Sequence, residues 1–347
     1  MSLRLQQPIV VLTLMALSAC SSPTTPQPPP PTPDAPTLTC PASVSLVSPD
    51  GARVPYQFTM PIAVNGQPPV TVSCSGIPVA GYPAGSTVIT CTATDALSRQ
   101  ASCNFSVTVT VTPKISKTKF LAFGDSITFG RCGPAPNTCP PYTVRLGELL
   151  RGRYTSQNFQ IITSGEPGEK TSEGGARLPR EVSDLNPEVV LIMEGTNDVV
   201  AEPFNLSQSE DNLEYMIEES RNRGASVIFI ATIPPIPPGG PNNSHIPRVL
   251  QLNDEIRDLA ARKGAHLVDV FAALNADLNR YYSGNDLHPT GEGLRVIGET
   301  FYTKIRATLD VTPPGSSSSM SPGIPSGLAD LLVLPRGPGP LKRLPGR

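Results

Sequence analysis

A short apolar run, Phe120-Leu121-Ala122-Phe123, leads directly into Gly124-Asp125-Ser126-Ile127-Thr128. Apolar runs also precede two later blocks, Gly165-Glu166-Pro167-Gly168 and Gly195-Thr196-Asn197-Asp198. A brief apolar run that stops at a glycine is typical of a buried strand. Because open α/β sheets place their sites just beyond the carboxyl ends of parallel strands, we expect the polar residues of the three blocks to lie together.

The sequence around these blocks alternates between strand-like and helical patterns. Strand-like runs are found at 119–123, 159–163, 188–193, 226–231 and 266–269, and helical patterns at about 143–153, 173–184, 207–223, 247–263 and 289–307. This alternation predicts a parallel sheet with helices on both faces, a flavodoxin-like three-layer α/β fold.

A fourth block, Asp286-Leu287-His288-Pro289, precedes the last helical pattern. Ser126 is a candidate nucleophile, although a serine after a strand is more often a helix cap. A serine nucleophile needs a nearby base, and a neutral imidazole can accept its proton near pH 7. Of the three histidines, His266 starts a strand-like run, which predicts a structural role, and His245 lies in a long loop that is a candidate for the cleft mouth. His288 is therefore the candidate base.

In this order the four blocks resemble the SGNH (GDSL-like) hydrolases, a family of esterases and lipases, over residues 117–310. The resemblance implies the three-layer fold and an acyl-enzyme mechanism with Ser126 and His288, without metal or organic cofactor. It also implies three oxyanion donors: the backbone N–H groups of Ser126 and Gly168 and the side-chain amide of Asn197. Asp125 and Asp198 are expected to tie loops together.

The residue that orients His288 is open, because the sequence departs from the family here. The usual acid stands three residues before the histidine, where this chain has Asn285, and Asp286 follows it. One alternative is that Asn285 faces the imidazole and leaves a Ser-His dyad; the other is that the loop shifts by one residue and Asp286 takes the role. We favour Asn285, since Leu-His-Pro keeps the family register. A second departure is Thr163-Ser164 before Gly165, where the family usually has Asn.

Residues 38–112 are rich in Val, Thr and Ser with period-two alternation, which predicts an antiparallel β-sandwich. The stretch from Gly85 to Asp95, with Ala101 to Phe105 after it, resembles a HYR (hyalin repeat) module, which implies an immunoglobulin-like fold. Such a module binds glycans or acts as a spacer. We favour the spacer, because aromatic residues that stack on sugars are scarce in it.

The N-terminus indicates export. Residues 1–19 have the pattern of a signal peptide, with one charge, Arg4, before a short apolar run. Their last residues form, with the next one, Leu17-Ser18-Ala19-Cys20, which resembles the bacterial lipoprotein cleavage box. The resemblance implies that Cys20 is lipidated and that the Pro-rich segment 20–37 tethers the protein to a bacterial membrane, facing the periplasm or the exterior. Residues 311–347 are rich in Pro, Gly and Ser, and this composition predicts a disordered tail.

Seven cysteines minus Cys20 leave six, an even set that suits disulfides in an exported chain. Four of them lie in the first module, where three connectivities are open. We predict the pairs Cys40–Cys103, Cys74–Cys91 and Cys132–Cys139. With 27 basic and 29 acidic residues and no basic stripe, the chain is not expected to bind nucleic acid.

Together these features predict an exported, lipid-anchored serine esterase that hydrolyses carboxylic esters, with short acyl groups such as acetyl on a glycan preferred. Two alternatives stay open. One is a surface adhesion or binding protein with little activity, and the other is a lysophospholipase or thioesterase that acts on longer acyl chains.

Overall fold

The computed structural model describes residues 31–133, 138–283 and 287–311. Their C-terminal part contains a five-stranded sheet in the order β11-β10-β9-β7-β8, and each of its four strand pairings is parallel. The strands are β7 (Lys119–Gly124), β8 (Gln160–Gly165), β9 (Val189–Met193), β10 (Val227–Ala231) and β11 (His266–Val268). The predicted flavodoxin-like α/β architecture is confirmed.

Among the described residues of this domain, four long α-helices connect the strands and a fifth follows the last strand, while four short α-helices follow strand ends or precede the last long helix. The long ones are α2 (Tyr142–Arg153), α3 (Thr171–Leu185), α5 (Leu206–Asn222), α6 (Ile246–Lys263) and α9 (Gly291–Leu309). The short ones are α1 (Ser126–Phe129), α4 (Thr196–Val200), α7 (Val270–Asn275) and α8 (Leu278–Tyr281). The long helices begin and end within about two residues of the predicted positions. The sequence did not predict the short ones, because one turn is too brief to show a 3.6-residue period.

Alternate residues of the inner strand β7 enter two separate cores. Phe120 and Ala122 pack on one face of the sheet with residues of α2 and α9. Leu121 and Phe123 pack on the other face with residues of α3, α5 and α6. A strand buried on both faces explains the uninterrupted apolar run, because neither face is left for water.

The register of β7 brings the three strand-end blocks to one edge of the sheet. Gly124 pairs with Gly165 of β8 on one side and with Met193 of β9 on the other. A Cβ atom at Gly124 would lie 2.1 Å from the Met193 carbonyl oxygen. Glycine is therefore required at this position by the close approach of β9.

The N-terminal module contains a two-stranded sheet and a four-stranded sheet. Strands β1 (Thr37–Leu38) and β3 (Ala63–Val64) pair antiparallel. The larger sheet has the order β2-β6-β5-β4, formed by Val44–Ser48, Gln100–Val111, Gly85–Thr94 and Thr71–Ser75. Its edge strand β2 runs parallel to β6, a detail that the period-two pattern does not show, because the pattern is the same for either strand direction.

All three predicted disulfides are present. They join Cys40 to Cys103, Cys74 to Cys91, and Cys132 to Cys139. In the part of the chain that the structure describes, no helix is long and apolar enough to cross a bilayer.

Candidate active site

Ser126 and His288 meet although 162 residues separate them. The Ser126 Oγ atom lies 2.9 Å from the His288 Nε2 atom, and Ser126 is 6% exposed. Ser126 is the first residue of α1, directly beyond β7. At that position its backbone N–H has no helical acceptor, and no described residue accepts it. The structure therefore pairs a hydroxyl with an imidazole beside an unsatisfied backbone donor.

The turn that carries Ser126 is held by its neighbour Asp125. Asp125 caps α1, and its Oδ1 atom accepts a hydrogen bond of 2.9 Å from the Ile127 N–H. The side chain is buried, and this burial raises the pKa of the carboxyl to about 6, against the hydrogen bond from Ile127. The expected loop-tying role of Asp125 agrees with these contacts.

His288 lies just before α9, in a segment that the backbone holds at several points. The Thr290 N–H donates to the Tyr281 carbonyl (2.8 Å), and the Thr290 hydroxyl accepts from the Gly293 N–H (3.2 Å) as the helix cap. The Gly133 N–H donates to the Pro289 carbonyl (3.3 Å). These bonds connect the histidine segment to both α8 and the loop after α1.

Gly168 and Asn197 are linked through Glu169, the residue that follows Gly168. The Asn197 Nδ2 atom donates a hydrogen bond of 2.8 Å to the Glu169 carbonyl oxygen. An amide nitrogen has two hydrogens, so one N–H of Asn197 stays available. Gly168 has φ +87° and is exposed, and its own N–H donates to no described acceptor. The arrangement thus offers an oriented amide N–H and an unsatisfied backbone N–H.

The second block is also joined to the first one. The Glu166 N–H donates to the Gly124 carbonyl at 3.0 Å, one pairing beyond the end of the β7–β8 ladder. Hydrogen bonds therefore run from the Ser126 turn to the Gly168 loop and from that loop to Asn197.

Asp198 ties three helices together. Its Oδ2 accepts from the Thr171 N–H (2.9 Å), and its Oδ1 accepts from the hydroxyls of Thr171 (2.6 Å) and Ser209 (3.0 Å). These bonds connect α4 with the first turns of α3 and α5. The contacts agree with the structural role expected for Asp198.

Two buried acids beside the site, Glu169 and Glu194, were not predicted from the sequence. Glu169 is 5% exposed and Glu194 is 1% exposed, and neither oxygen of Glu194 has a hydrogen-bond partner among the residues that the structure describes. Burial, then the nearby carboxylates of Asp125, Glu169 and Asp198, hold the pKa of Glu194 well above its usual value, and Arg177 opposes this shift. Glu194 directly follows the all-buried strand β9, which was the available signal for its burial.

The other two histidines and the tyrosines before His288 lie outside the Ser126–His288 contact. The His266 ring packs against the Phe229 ring, with 5.1 Å between the ring centroids, and burial lowers the pKa of His266. Tyr281 and Tyr282, just before the histidine block, are 8% and 3% exposed and belong to the core. His245 immediately precedes α6. Asn285 and Asp286, the two candidates for orienting His288, lie outside the described residues, as does Cys20.

This geometry can support acyl transfer. A hydroxyl in contact with an imidazole can lose its proton during attack, and nearby N–H groups can stabilise the negative charge that develops on a carbonyl oxygen. Among residues 31–133, 138–283 and 287–311, no three His, Cys, Asp or Glu side chains are grouped so as to hold a metal ion.

The chain is similar to several known proteins. It is 30% identical over 137 residues to an uncharacterized lipoprotein, YqeF, of Bacillus subtilis, and the match spans 32% of this chain and 55% of that relative. Similar solved structures include a lipase/acylhydrolase from Enterococcus faecalis (23% identity, TM-score 0.49, 55% of this chain and 97% of that one). Another is Axe2, an acetylxylan esterase from Geobacillus stearothermophilus (23% identity, TM-score 0.48, 55% of this chain and 96% of that one).

Family models match both parts of the chain. Residues 32–109 match the HYR domain, which confirms the resemblance of the N-terminal module. Residues 122–296 match the model of the GDSL-like Lipase/Acylhydrolase family, and this match spans half of the chain and all four sequence blocks. The chain therefore belongs to the GDSL-like lipase/acylhydrolase family.

Proposed function

We propose that this protein is a serine esterase in which Ser126 is the nucleophile and His288 is the general base. The observation that carries the proposal is the 2.9 Å contact between Ser126 Oγ and His288 Nε2. Residues brought together from positions 126 and 288 beside unsatisfied N–H donors fit acyl transfer better than a simple helix cap.

The reaction has two halves. In the first, His288 Nε2 takes the Ser126 proton while Oγ forms a bond to the ester carbonyl carbon. The tetrahedral intermediate then expels the alcohol, which receives the proton from the imidazolium. In the second, water attacks the acyl-enzyme with the same proton transfers, and the carboxylic acid leaves. The N–H groups of Ser126 and Gly168 and the Asn197 amide stabilise the oxyanion in both halves.

For the residue that orients His288 we propose Asn285, which leaves a Ser-His dyad without a buried negative charge. Under this hypothesis Asn285→Asp raises kcat, because a carboxylate stabilises the imidazolium and an amide does not. Asp286→Ala then costs little. If Asp286→Ala collapses the rate while Asn285→Ala does not, Asp286 is the orienting acid.

We propose short acyl groups, such as acetyl on a glycan, as the substrate class. In α1, Ile127 and Thr128 are fully buried, and Phe129 (46% exposed) shares the face of Ser126 at a spacing of three residues. A single exposed ring suits a small acyl group better than a long chain. A series of p-nitrophenyl esters from acetate to laurate tests this, together with acetylated glycans. Activity that rises with chain length would instead support the lysophospholipase or thioesterase alternative.

The nucleophile is tested with purified protein. Ser126→Ala is expected to abolish hydrolysis of p-nitrophenyl acetate and labelling by a fluorophosphonate while the thermal melt stays cooperative. A matched control is Ser220→Ala, because Ser220 is buried in α5 and its hydroxyl bonds the Met216 carbonyl (2.7 Å) of the same helix. Turnover or labelling that persists in Ser126→Ala contradicts the assignment, and no turnover in the wild type favours the binding-protein alternative.

We further propose that the protein is exported and anchored to a bacterial membrane through a lipid on Cys20, with the HYR module as a spacer. The cleavage-box resemblance, the three disulfides and the similarity to a protein named as a lipoprotein support this. The ester substrate is then met outside the cytoplasm.

A further inference from the structure

Arg177 of α3 is the most heavily engaged side chain next to the site. Its guanidinium bonds both oxygens of Glu169, with 2.7 Å from Nε to Oε1, and it also bonds Glu181 Oε1 (2.6 Å) and the Ser164 hydroxyl. It donates a longer bond of 3.4 Å to the Gly124 carbonyl and lies 3.9 Å above the Phe123 ring. The one side chain therefore contacts both strands β7 and β8 and the loop after β8.

These contacts lie one or two residues away from the proposed oxyanion donors. Gly124 is two residues before Ser126, and Glu169 follows Gly168 directly. The Glu169 carbonyl accepts the bond that orients the Asn197 amide. Because the Glu169 side chain is held at both oxygens, its backbone is held as well, and so are the neighbouring Gly168 N–H and the Asn197 contact.

Only a planar, forked cation can make this set of bonds. Arginine presents five N–H donors in a fixed geometry and stacks on aromatic faces. Lysine carries the same charge as a point on a flexible stem, so it can neutralise Glu169 without bridging to Ser164 and Gly124. The position therefore depends on the shape of the group as well as on its charge.

We propose that Arg177 is a positioning residue of the oxyanion hole, which it holds in place through Glu169. The inference rests on the proposed esterase function and adds a residue to it that touches no reacting atom. Oxyanion stabilisation requires donors placed for the transition state, and a misplacement of about 1 Å can cost on the order of a hundredfold in rate. The contacts of Arg177 with Glu169 should therefore influence kcat and leave ester binding nearly unchanged.

The first test is kinetic. Arg177→Lys is expected to lower kcat for p-nitrophenyl acetate by about tenfold to a hundredfold with little change in KM. Glu169→Gln is expected to act in the same direction, and it avoids leaving a buried carboxylate unpaired if an Arg177 variant fails to fold. A change confined to KM in both variants would overturn the proposal.

A double-mutant cycle with Asn197→Ala separates positioning from general damage. If Arg177 acts by aligning the donors, Arg177→Lys costs much less in the Asn197→Ala background than in the wild type, because one aligned donor is already gone. Losses that multiply independently would contradict the proposal. The matched control is Arg180→Lys on the same helix, where the side chain is 87% exposed and pairs with Asp184. It should leave kcat unchanged.

The last test does not depend on activity. In amide hydrogen exchange, Arg177→Lys should increase exchange in peptides that cover residues 124–130 and 165–170, whereas α6 and α9 should exchange as in the wild type. Unchanged exchange in both loops would overturn the positioning role of Arg177 even if hydrolysis is confirmed. Absence of Ser126-dependent turnover in the wild type would instead refute the esterase function, with the exchange result still deciding whether Arg177 holds the loops.

Discussion

Replacing Asn197 by alanine should separate catalysis from stability. The Asn197 amide has one N–H bound to the Glu169 carbonyl at 2.8 Å and a second one proposed for the oxyanion. Losing one oxyanion donor lowers kcat by about 10²–10³-fold, which corresponds to roughly 2.7–4 kcal/mol of transition-state stabilisation. Losing the bond to Glu169 costs the folded state only about 0.5–1.5 kcal/mol, because Asn197 is partly exposed.

The assay combines steady-state hydrolysis of p-nitrophenyl acetate with thermal melts. Because the lost interaction exists mainly in the transition state, kcat and kcat/KM should fall together and KM should stay nearly constant. The melting temperature should fall by about 2–4 °C for each kcal/mol in a domain of this size.

Asn253→Ala is the matched control. Asn253 is fully buried, and its amide bonds the Ile233 N–H (2.7 Å) and the Ile233 carbonyl (3.0 Å). Its removal leaves two buried main-chain groups unsatisfied, which costs roughly 2–6 kcal/mol of stability. The kcat of the folded variant should nevertheless be that of the wild type. An Asn197→Ala enzyme with unchanged kcat and a raised KM would refute the oxyanion assignment and point to ground-state binding.

Three further results are expected. The folded-state pKa of Glu194 lies above its usual 4.5, so stability is lost as the pH rises above 4.5, where the unfolded chain has already released this proton. Urea titrations from pH 4 to pH 8 should therefore show that Glu194→Gln gains free energy of unfolding relative to the wild type as the pH rises. Replacing both Cys132 and Cys139 by serine should lower the free energy of unfolding by about 2.5 kcal/mol, as loop closure over a separation of 7 residues predicts, and a variant as stable as the wild type would show that this disulfide does not constrain the unfolded chain. Cys20→Ser should move the protein from the membrane fraction to the soluble fraction, because buried lipid contributes about 0.8 kcal/mol per methylene, and unchanged fractionation would contradict the anchor.

Local features of the sequence account for the elements of the α/β domain. The apolar runs before Gly124, Gly165 and Gly195 predict buried strands, and the structure has β7, β8 and β9 there to within about two residues. The expected burial is wrong for β8, because it is the edge strand of the sheet and none of its residues is fully buried. The three disulfide pairs were also predicted, from an even set of cysteines in a chain whose N-terminus indicates export. Two-residue and 3.6-residue periods depend on neighbouring residues only, so they can be recognised without the fold.

The supporting network could not be predicted in the same way. Arg177 lies in an amphipathic helix, where its sequence context is that of an ordinary solvated charge, and only the packing of α3 places it over Phe123. Glu169 likewise resembles any polar loop residue until its burial is seen. The parallel pairing of β2 with β6 was missed because alternation specifies which side chains are buried and leaves strand direction open.

The sequence by itself determined the order of strands and helices, the family and the candidate pair Ser126 and His288. Only the tertiary structure decided that their side chains lie 2.9 Å apart, that Asn197 is oriented by the Glu169 carbonyl, and that Glu194 is a buried acid with no hydrogen-bond partner in the described part of the chain. The physical reason is the range of the interactions. Strand and helix periods arise between residues a few positions apart, whereas the site is built from groups up to 162 residues apart, which only the packing of α3 and α9 on the parallel sheet brings into contact.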